Sequence, residues 1–330
     1  MGPHESTNQS CMNVPAVSII VNVRNGAATL EAALRSALAQ SFQDWEMVVW
    51  DDGSVDESAA VVAQLADPRL RYWRSDLGGG LGPARARAIT VARGQWLAFL
   101  DQDDLWLPDK LRLQMALTAP GVGLVYGRAV MFFEDGRQRD FDHWHEYEAL
   151  PEGHIFEALF ACSCFICMST ALLRRDLVEA AGAMPAWVRV APDYFLFLEL
   201  AHSHQACAVQ APVCLYRVHG GGMTGASMAP IQHEALLLIE RWHSVLPDAL
   251  VRQRKRVHHT VLASIDMRSG ASFGAGCRRL LRQGSLVFLL TRPFARAARH
   301  LRRRLQRPYW VQALRRSGTA LPALLSLDSR

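Results

Sequence analysis

Gln95-Trp-Leu-Ala-Phe-Leu-Asp-Gln-Asp-Asp104 is an apolar run of strand length that stops on three carboxylates, Asp101, Asp103 and Asp104. A short continuous apolar run of this kind reads as a buried strand. Upstream, Trp45-Glu-Met-Val-Val-Trp50 repeats the pattern and stops on Asp51-Asp52-Gly53-Ser54. Further upstream, Val17-Ser-Ile-Ile-Val21 is β-branched and ends before Asn25-Gly26. Apolar residues at helical spacing lie between these runs, at Leu30, Ala33, Leu34, Ala37 and Leu38, then over 58–65, then over 84–92. Residues 70–73 add a short strand, and 78–82 form a Gly-rich loop. This β-α-β-α-β alternation predicts an α/β domain with a mostly parallel sheet flanked by helices.

The acidic residues end their strands, and open α/β sheets bind ligands in the crevice beyond the carboxyl ends of the strands. Each cluster by itself also reads as a helix cap, because Asp is favoured there. Two clusters on one rim repel each other unless something cationic or hydrogen-bonding compensates. A divalent cation with oxygen ligands does so, and such ions usually bind substrate phosphates as well.

Six stretches in order resemble the family 2 glycosyltransferases. They are Val17 through Asn25 with Ala37-Leu-Ala-Gln-Ser41, and Val48-Val-Trp-Asp-Asp-Gly-Ser54 with Asp56. Gly80-Leu-Gly-Pro-Ala-Arg-Ala-Arg-Ala88 and the DXD motif Asp101-Gln-Asp103 follow. Pro192-Asp-Tyr-Phe195 and Tyr216-Arg-Val-His219, with Met223-Thr224, complete the set, so the resemblance spans residues 15–225. It implies a GT-A fold and an inverting transfer from a nucleotide-diphosphate sugar, UDP-type favoured, to a hydroxyl of a glycan or lipid-linked acceptor. The alternative it leaves is a non-catalytic nucleotide-sugar-binding protein. Residues 1–225 form the GT-A domain, with 15–104 as its nucleotide-binding half and 105–225 as its acceptor half. Residues 226–330 form a helical, basic tail.

Carried over position by position, the resemblance makes Asp193 the general base. Asn25, Asp52, Arg85, Asp101 and Asp103 become the donor-binding residues, with Asp52 on the nucleobase and Asp101 on the ribose. Asp103 and His219 become ligands of a Mg2+ or Mn2+ ion. Arg85 also reads as a solvated helix-face residue, and His219 as a loop histidine with a structural hydrogen bond. The chain departs from the family pattern at Asn22 and Arg24, where the family has Pro and Tyr, and at Ala86 and Ala88, where it has Asn and Gly. Pro192 replaces the family's Glu, which is the best support for the binding-protein alternative; Pro is tolerated in the first turn of a helix.

The second half is less regular. Residues 123–126 read as a strand, Asp135-Gly136 as a hairpin turn, and 171–179 and 193–201 as helices. Tyr216 to His219 reads as a loop, and everything beyond 225 as helical. The chain has seven cysteines, three of them crowded at Cys162, Cys164 and Cys167. There is no second pair of the kind zinc sites use, so they read as small core residues in a reduced, cytoplasmic setting. Residues 155–173 carry Glu157 and end on Arg174 and Arg175, so no transmembrane helix is expected. The first thirteen residues lack the apolar stretch of a secretory signal.

The net charge of +5 is unevenly spread. Residues 267–327 hold thirteen Arg and no Asp or Glu, which leaves the remainder with 23 basic and 31 acidic residues, a net of −8. Phe294, Ala298, Leu301 and Leu305 recur at helical spacing among those arginines. Two readings stand for this tail: a basic amphipathic helix on an anionic membrane surface, peripheral on the inner face, or a helix packed on the domain. No nucleic-acid motif accompanies the charge, and the body is acidic. A nicotinamide-dependent oxidoreductase is excluded because the first βα turn, Asn25-Gly-Ala-Ala28, lacks G-x-G-x-x-G.

Overall fold

The computed structural model describes residues 14–76, 78–133, 138–140, 149–162, 164–185, 187–219 and 228–268. β1 (Val17–Val23) is buried along nearly its whole length, as its β-branched run requires. It leads through Asn25, in the left-handed region at φ 50°, into α1 (Ala27–Leu38). That helix has no side-chain cap of its own; Asp56 caps it from the next loop, accepting from the Ala27 N–H at 2.9 Å. β2 (Trp45–Asp51), α2 (Ser58–Ala63) and β3 (Leu70–Arg74) follow. α3 (Leu81–Thr90) begins earlier than the apolar spacing predicts, so Gly82 lies inside a helix rather than in a loop. β4 (Trp96–Asp101) closes the alternation.

β2 and β4 pair with β1 on either side and β3 pairs with β2, all parallel. The parallel strands β1 to β4 fall within residues 15–104. The sheet continues with β5 (Leu105–Trp106), α4 (Lys110–Met115), β6 (Val122–Phe133) and β7 (Gln138–Asp140). The turn at Asp135-Gly136 lies outside the described residues, between two strands that do pair antiparallel. α5 (Phe156–Cys162) leads to β8 (Leu172–Arg174) and α6 (Arg175–Ala180). The helix expected over 171–179 is thus half strand, because Leu172 and Leu173 fill a slot between β4 and β6. Tertiary burial outweighs their helix propensity.

α7 (Pro192–Ser203) starts with Pro at its first turn, as anticipated. β9 (Gln205–Val218) corrects the loop reading of Tyr216 to Val218, which belong to a strand paired in parallel with β6. This pairing slips beside Pro212, whose missing N–H cannot serve the ladder. The sheet order is β3-β2-β1-β4-β8-β6-β9-β5, with β7 on β6. Two helices, Met228–Trp242 and Asp248–Arg268, complete the described chain. Together with the turn between them, they place Leu238, Ile239, Leu246 and Val251 in the same hydrophobic core as β1 and β4, so the first part of the predicted tail packs on the sheet domain. The Arg-rich stretch beyond residue 268 lies outside the described residues. Among them, no helix is long and apolar enough to cross a membrane. Cys167 and Cys214 are buried, in line with cysteines used as small core residues.

Candidate active site

The register puts the two acidic clusters on either side of one strand. Val23 of β1 stands opposite Asp51, and Asn22 stands opposite Asp101. Parallel pairing thus brings residues fifty positions apart to one rim, as the switch-point rule requires. Asp51 is spent on structure: it accepts from the Ser54 N–H at 2.6 Å and from the Tyr72 hydroxyl at 2.7 Å. Burial and the Asp51 charge push the Tyr72 hydroxyl up to about 12. Asp52 is buried and accepts from the Gly79 and Gly80 N–H groups at 2.9 and 2.8 Å, with the exposed Arg24 guanidinium 3.9 Å away. Gly53 between them adopts φ 80°, where a side chain is strained. Asn25 donates its backbone N–H to Ser54 Oγ and accepts from the Val55 N–H at 2.9 Å, which fixes the turn that carries Asp52.

On the other side of β1, Arg85 of α3 is 2% exposed and donates to Asp101 at 2.5 Å. It is not the solvated helix-face arginine of the alternative reading. Burial raises the Asp101 carboxyl above its ordinary range; Arg85 opposes this, and the Asp103 and Asp193 charges add to it. Asp193 sits in the first turn of α7 and accepts from the Tyr194 N–H at 2.8 Å. Burial pushes its carboxyl up as well, Arg85 pulls it back and Glu234 pushes it further. One guanidinium therefore faces two desolvated carboxylates, Asp101 and Asp193.

Asp103 and Asp104 are adjacent but do different work. Asp104 is fully buried and accepts from Ser169 Oγ at 2.5 Å and from the Arg217 N–H at 2.9 Å. Burial and the neighbouring Asp101 and Asp103 charges raise its carboxyl well above the ordinary range. The Arg217 side chain donates back to the Asp103 carbonyl at 2.9 Å. These bonds sew the end of β9 to the acidic loop and bring His219 Nε2 within 2.9 Å of Asp103 Oδ2. Gln102, between the two DXD carboxylates, accepts from the Arg24 N–H at 2.9 Å and ties the loop to β1.

Asp101, Arg85 and Asp193 thus converge, and Asp103 meets His219. Asp52 lies on the other side of β1, beside the Gly78–Gly80 turn, and Asn25 lies beside Ser54 and Val55. Three contributors had no sequence signal. Ser169 lies in an apolar segment, the Arg217 amide belongs to the backbone, and Glu234 is one acidic residue on an amphipathic helix. Among the described residues, no three or more His, Cys, Asp or Glu are grouped as a metal cage. A phosphate-bridging Mg2+ or Mn2+ needs only one or two protein ligands. A carboxylate and an imidazole within hydrogen-bond reach, as in Asp103 and His219, form a donor set that fits such an ion.

The sequence model of glycosyl transferase family 2 matches residues 18–182. The succinoglycan biosynthesis protein ExoO of Rhizobium meliloti is 32% identical over 219 residues, covering 64% of this chain and 63% of that protein. The match thus spans less than two thirds of that relative's length. The Escherichia coli protein WfgD, named as a UDP-Glc:alpha-D-GlcNAc-diphosphoundecaprenol beta-1,3-glucosyltransferase, is 34% identical over 112 residues, covering 34% of this chain and 44% of its own. Among solved structures, S. aureus TarS 1–349 in complex with UDP-GlcNAc superimposes with a TM-score of 0.60 at 18% identity, covering 77% of this chain and 74% of that one. The mannosyltransferase PcManGT of Pyrobaculum calidifontis, in complex with GDP-Man and Mn2+, gives a TM-score of 0.54 at 20% identity, covering 96% of this chain and 87% of that one. These likenesses show the GT-A fold.

Proposed function

The chain belongs to glycosyl transferase family 2, and from that premise we propose that it moves a sugar from a nucleotide-diphosphate sugar, UDP-sugars favoured, to a hydroxyl of a glycan or lipid-linked acceptor. The observation that carries the reading is Asp193, a desolvated carboxylate in a first helical turn with the buried Arg85 pulling on its charge. A general base works best when its pKa lies near the working pH, and burial moves a carboxylate in that direction. Asp193 takes the proton of the acceptor hydroxyl as that oxygen attacks the anomeric carbon. The bond from that carbon to the diphosphate oxygen breaks, and direct displacement inverts the configuration.

Asp52 accepts from an imide N–H of the nucleobase, with Asn25 holding its turn. Asp101 faces the ribose, and Arg85 the phosphates. Asp103 and His219 hold Mg2+ or Mn2+, which offsets charge on the departing nucleotide diphosphate when bound. The lipid-linked acceptor in the name of WfgD and the UDP-GlcNAc bound to TarS support the substrate classes. The basic stretch 267–327 belongs to the same reading as a contact to an anionic membrane, peripheral on the cytoplasmic face.

A panel of UDP-glucose, UDP-GlcNAc and GDP-mannose, with and without Mn2+, tests the reading, because a ligand of the folded state raises the melting temperature by mass action. Asp103→Ala is expected to abolish the metal-dependent rise with the fold intact. Asp193→Asn is expected to keep donor binding and lose transfer by roughly a hundredfold. Full transfer by either variant, or activity untouched by exhaustive chelation, overturns the role concerned. Donor binding by the wild type without turnover leaves the non-catalytic binder, the reading that Pro192 favours.

A further inference from the structure

Glu234 lies on the helix Met228–Trp242, outside the stretch matched by the family model, and is 7% exposed. Its two carboxylate oxygens accept from three successive backbone amides, Arg189 at 2.8 Å, Val190 at 3.0 and 3.1 Å, and Ala191 at 2.9 Å. Among the described residues it has no ion-pair partner, so these amides are what compensates a buried charge. A buried carboxylate left without such bonds is costly, which makes the arrangement a stiff one. The three amides belong to the segment that enters α7, and Asp193 follows two residues after Ala191. Ala191 is the N-cap of that helix and has no capping side chain of its own.

The same segment is held from its other side. Gly82 of α3 packs so closely that a Cβ there would stand 2.4 Å from the Val188 carbonyl oxygen. Three residues further along, less than one helical turn, α3 presents Arg85 to Asp101. The segment leading to Asp193 is therefore held by both α3 and Glu234.

We propose that Glu234 is a positioning residue for the reaction: it sets the entry of α7, and with it the place of Asp193, from an element outside the catalytic sheet. The inference rests on Asp193 being the base. Positioning of this kind is worth much in rate, since a misplacement of about 1 Å can cost a hundredfold. The carboxylate also adds a like charge near Asp193. The other titratable or charged groups facing Asp193 are Arg85 of α3, Asp101 at the end of β4, and Cys164 and Cys167 after α5.

The test uses the full chain with Mn2+ and the same nucleotide-sugar panel, following donor hydrolysis across pH and expressing the rate per UDP-binding site, so that unfolded protein drops out of the count. Glu234→Gln keeps the shape but offers only one oxygen. It is expected to bind UDP within about threefold of wild type, to turn over about tenfold more slowly or worse, and to move the acid limb of its pH profile to lower pH. Glu234→Asp keeps the charge at shorter reach, so it should be slow with the acid limb near its wild-type position. Rates per site within twofold of wild type in both variants overturn the inference, as does a rate loss matched by an equal loss of UDP affinity. Asp193→Asn in parallel separates the two claims: hydrolysis retained there removes the base, whereas hydrolysis lost there but kept in Glu234→Gln removes only the role of Glu234.

Discussion

Asp193 and Asp104 are both acidic, both desolvated and both raised in pKa, yet in the proposed reaction only Asp193 acts as the base. Asp104 is closed off by Ser169 and the Arg217 amide, so its proton affinity has structural consequences alone. Asp193 keeps part of its surface open and accepts from the amide of its neighbour Tyr194. Its ordinary value is 3.8, and burial raises it from there. A base is active when deprotonated, so activity falls as pH drops through its pKa in the folded protein. The acid limb of kcat/KM is therefore expected above pH 3.8, and a profile flat down to that value would show that no raised carboxyl controls the reaction. Arg85 resists this rise, and its sequence reading is divided, as is that of His219. Spacing places an arginine on α3, but only packing decides that its guanidinium turns inward to Asp101.

At the scale of elements, the end of the sheet opposite the rim is tied as well. Ser18 and Glu46 sit near the starts of β1 and β2, and Ser18 Oγ donates to Glu46 at 2.7 Å. Arg93, beyond α3, donates to Glu46 from its backbone at 2.6 Å and from its side chain at 2.7 Å, and Arg71 of β3 donates at 2.9 Å. One buried carboxylate thus joins three parallel strands to the turn that leads into β4. Burial alone would raise the Glu46 carboxyl, but the bonds from Ser18, Arg93 and Arg71 outweigh it and hold the group below its ordinary 4.5. A depressed pKa in the folded state contributes stability above 4.5 that is lost as pH falls through the depressed value. Glu46→Gln is expected to cost about 1–3 kcal/mol at neutral pH, read by urea unfolding, with the gap to wild type closing in acid. A cost that stays the same from neutral to strongly acidic pH would show that the charge is not what matters.

At the scale of the whole molecule, charge is divided between an acidic body and a basic stretch. Residues 267–327 carry thirteen Arg and no acid, and the remainder is net −8. Anionic vesicles are expected to pellet the full chain, less so as salt rises toward 1 M and the screening length shrinks to about 3 Å. A chain ending after Gly270 is expected to stay in the supernatant. Equal pelleting with neutral vesicles at high salt would rule out electrostatic attachment. The two helices before that stretch, with the turn between them, belong to the core through Leu238, Ile239, Leu246 and Val251, and the truncation retains all four.

By itself, the sequence determined the parallel strands β1 to β4 and the rim carboxylates, because both are written locally. Buried parallel strands need unbroken apolar runs such as Val17-Ser-Ile-Ile-Val21, and the acidic residues follow those runs directly. The same locality shows Pro192 opening α7 with Asp193 beside it. What pairs with what was decided only in three dimensions. β8 is three residues long, too short for any periodicity, and is a strand because β4 and β6 leave room for it. Ser169 and Arg217 reach Asp104 across 65 and 113 residues of chain, and Glu234 reaches Ala191 across 43. Such bonds form because a buried carboxylate must find donors wherever the fold brings them, and composition and spacing carry no record of which donors those are.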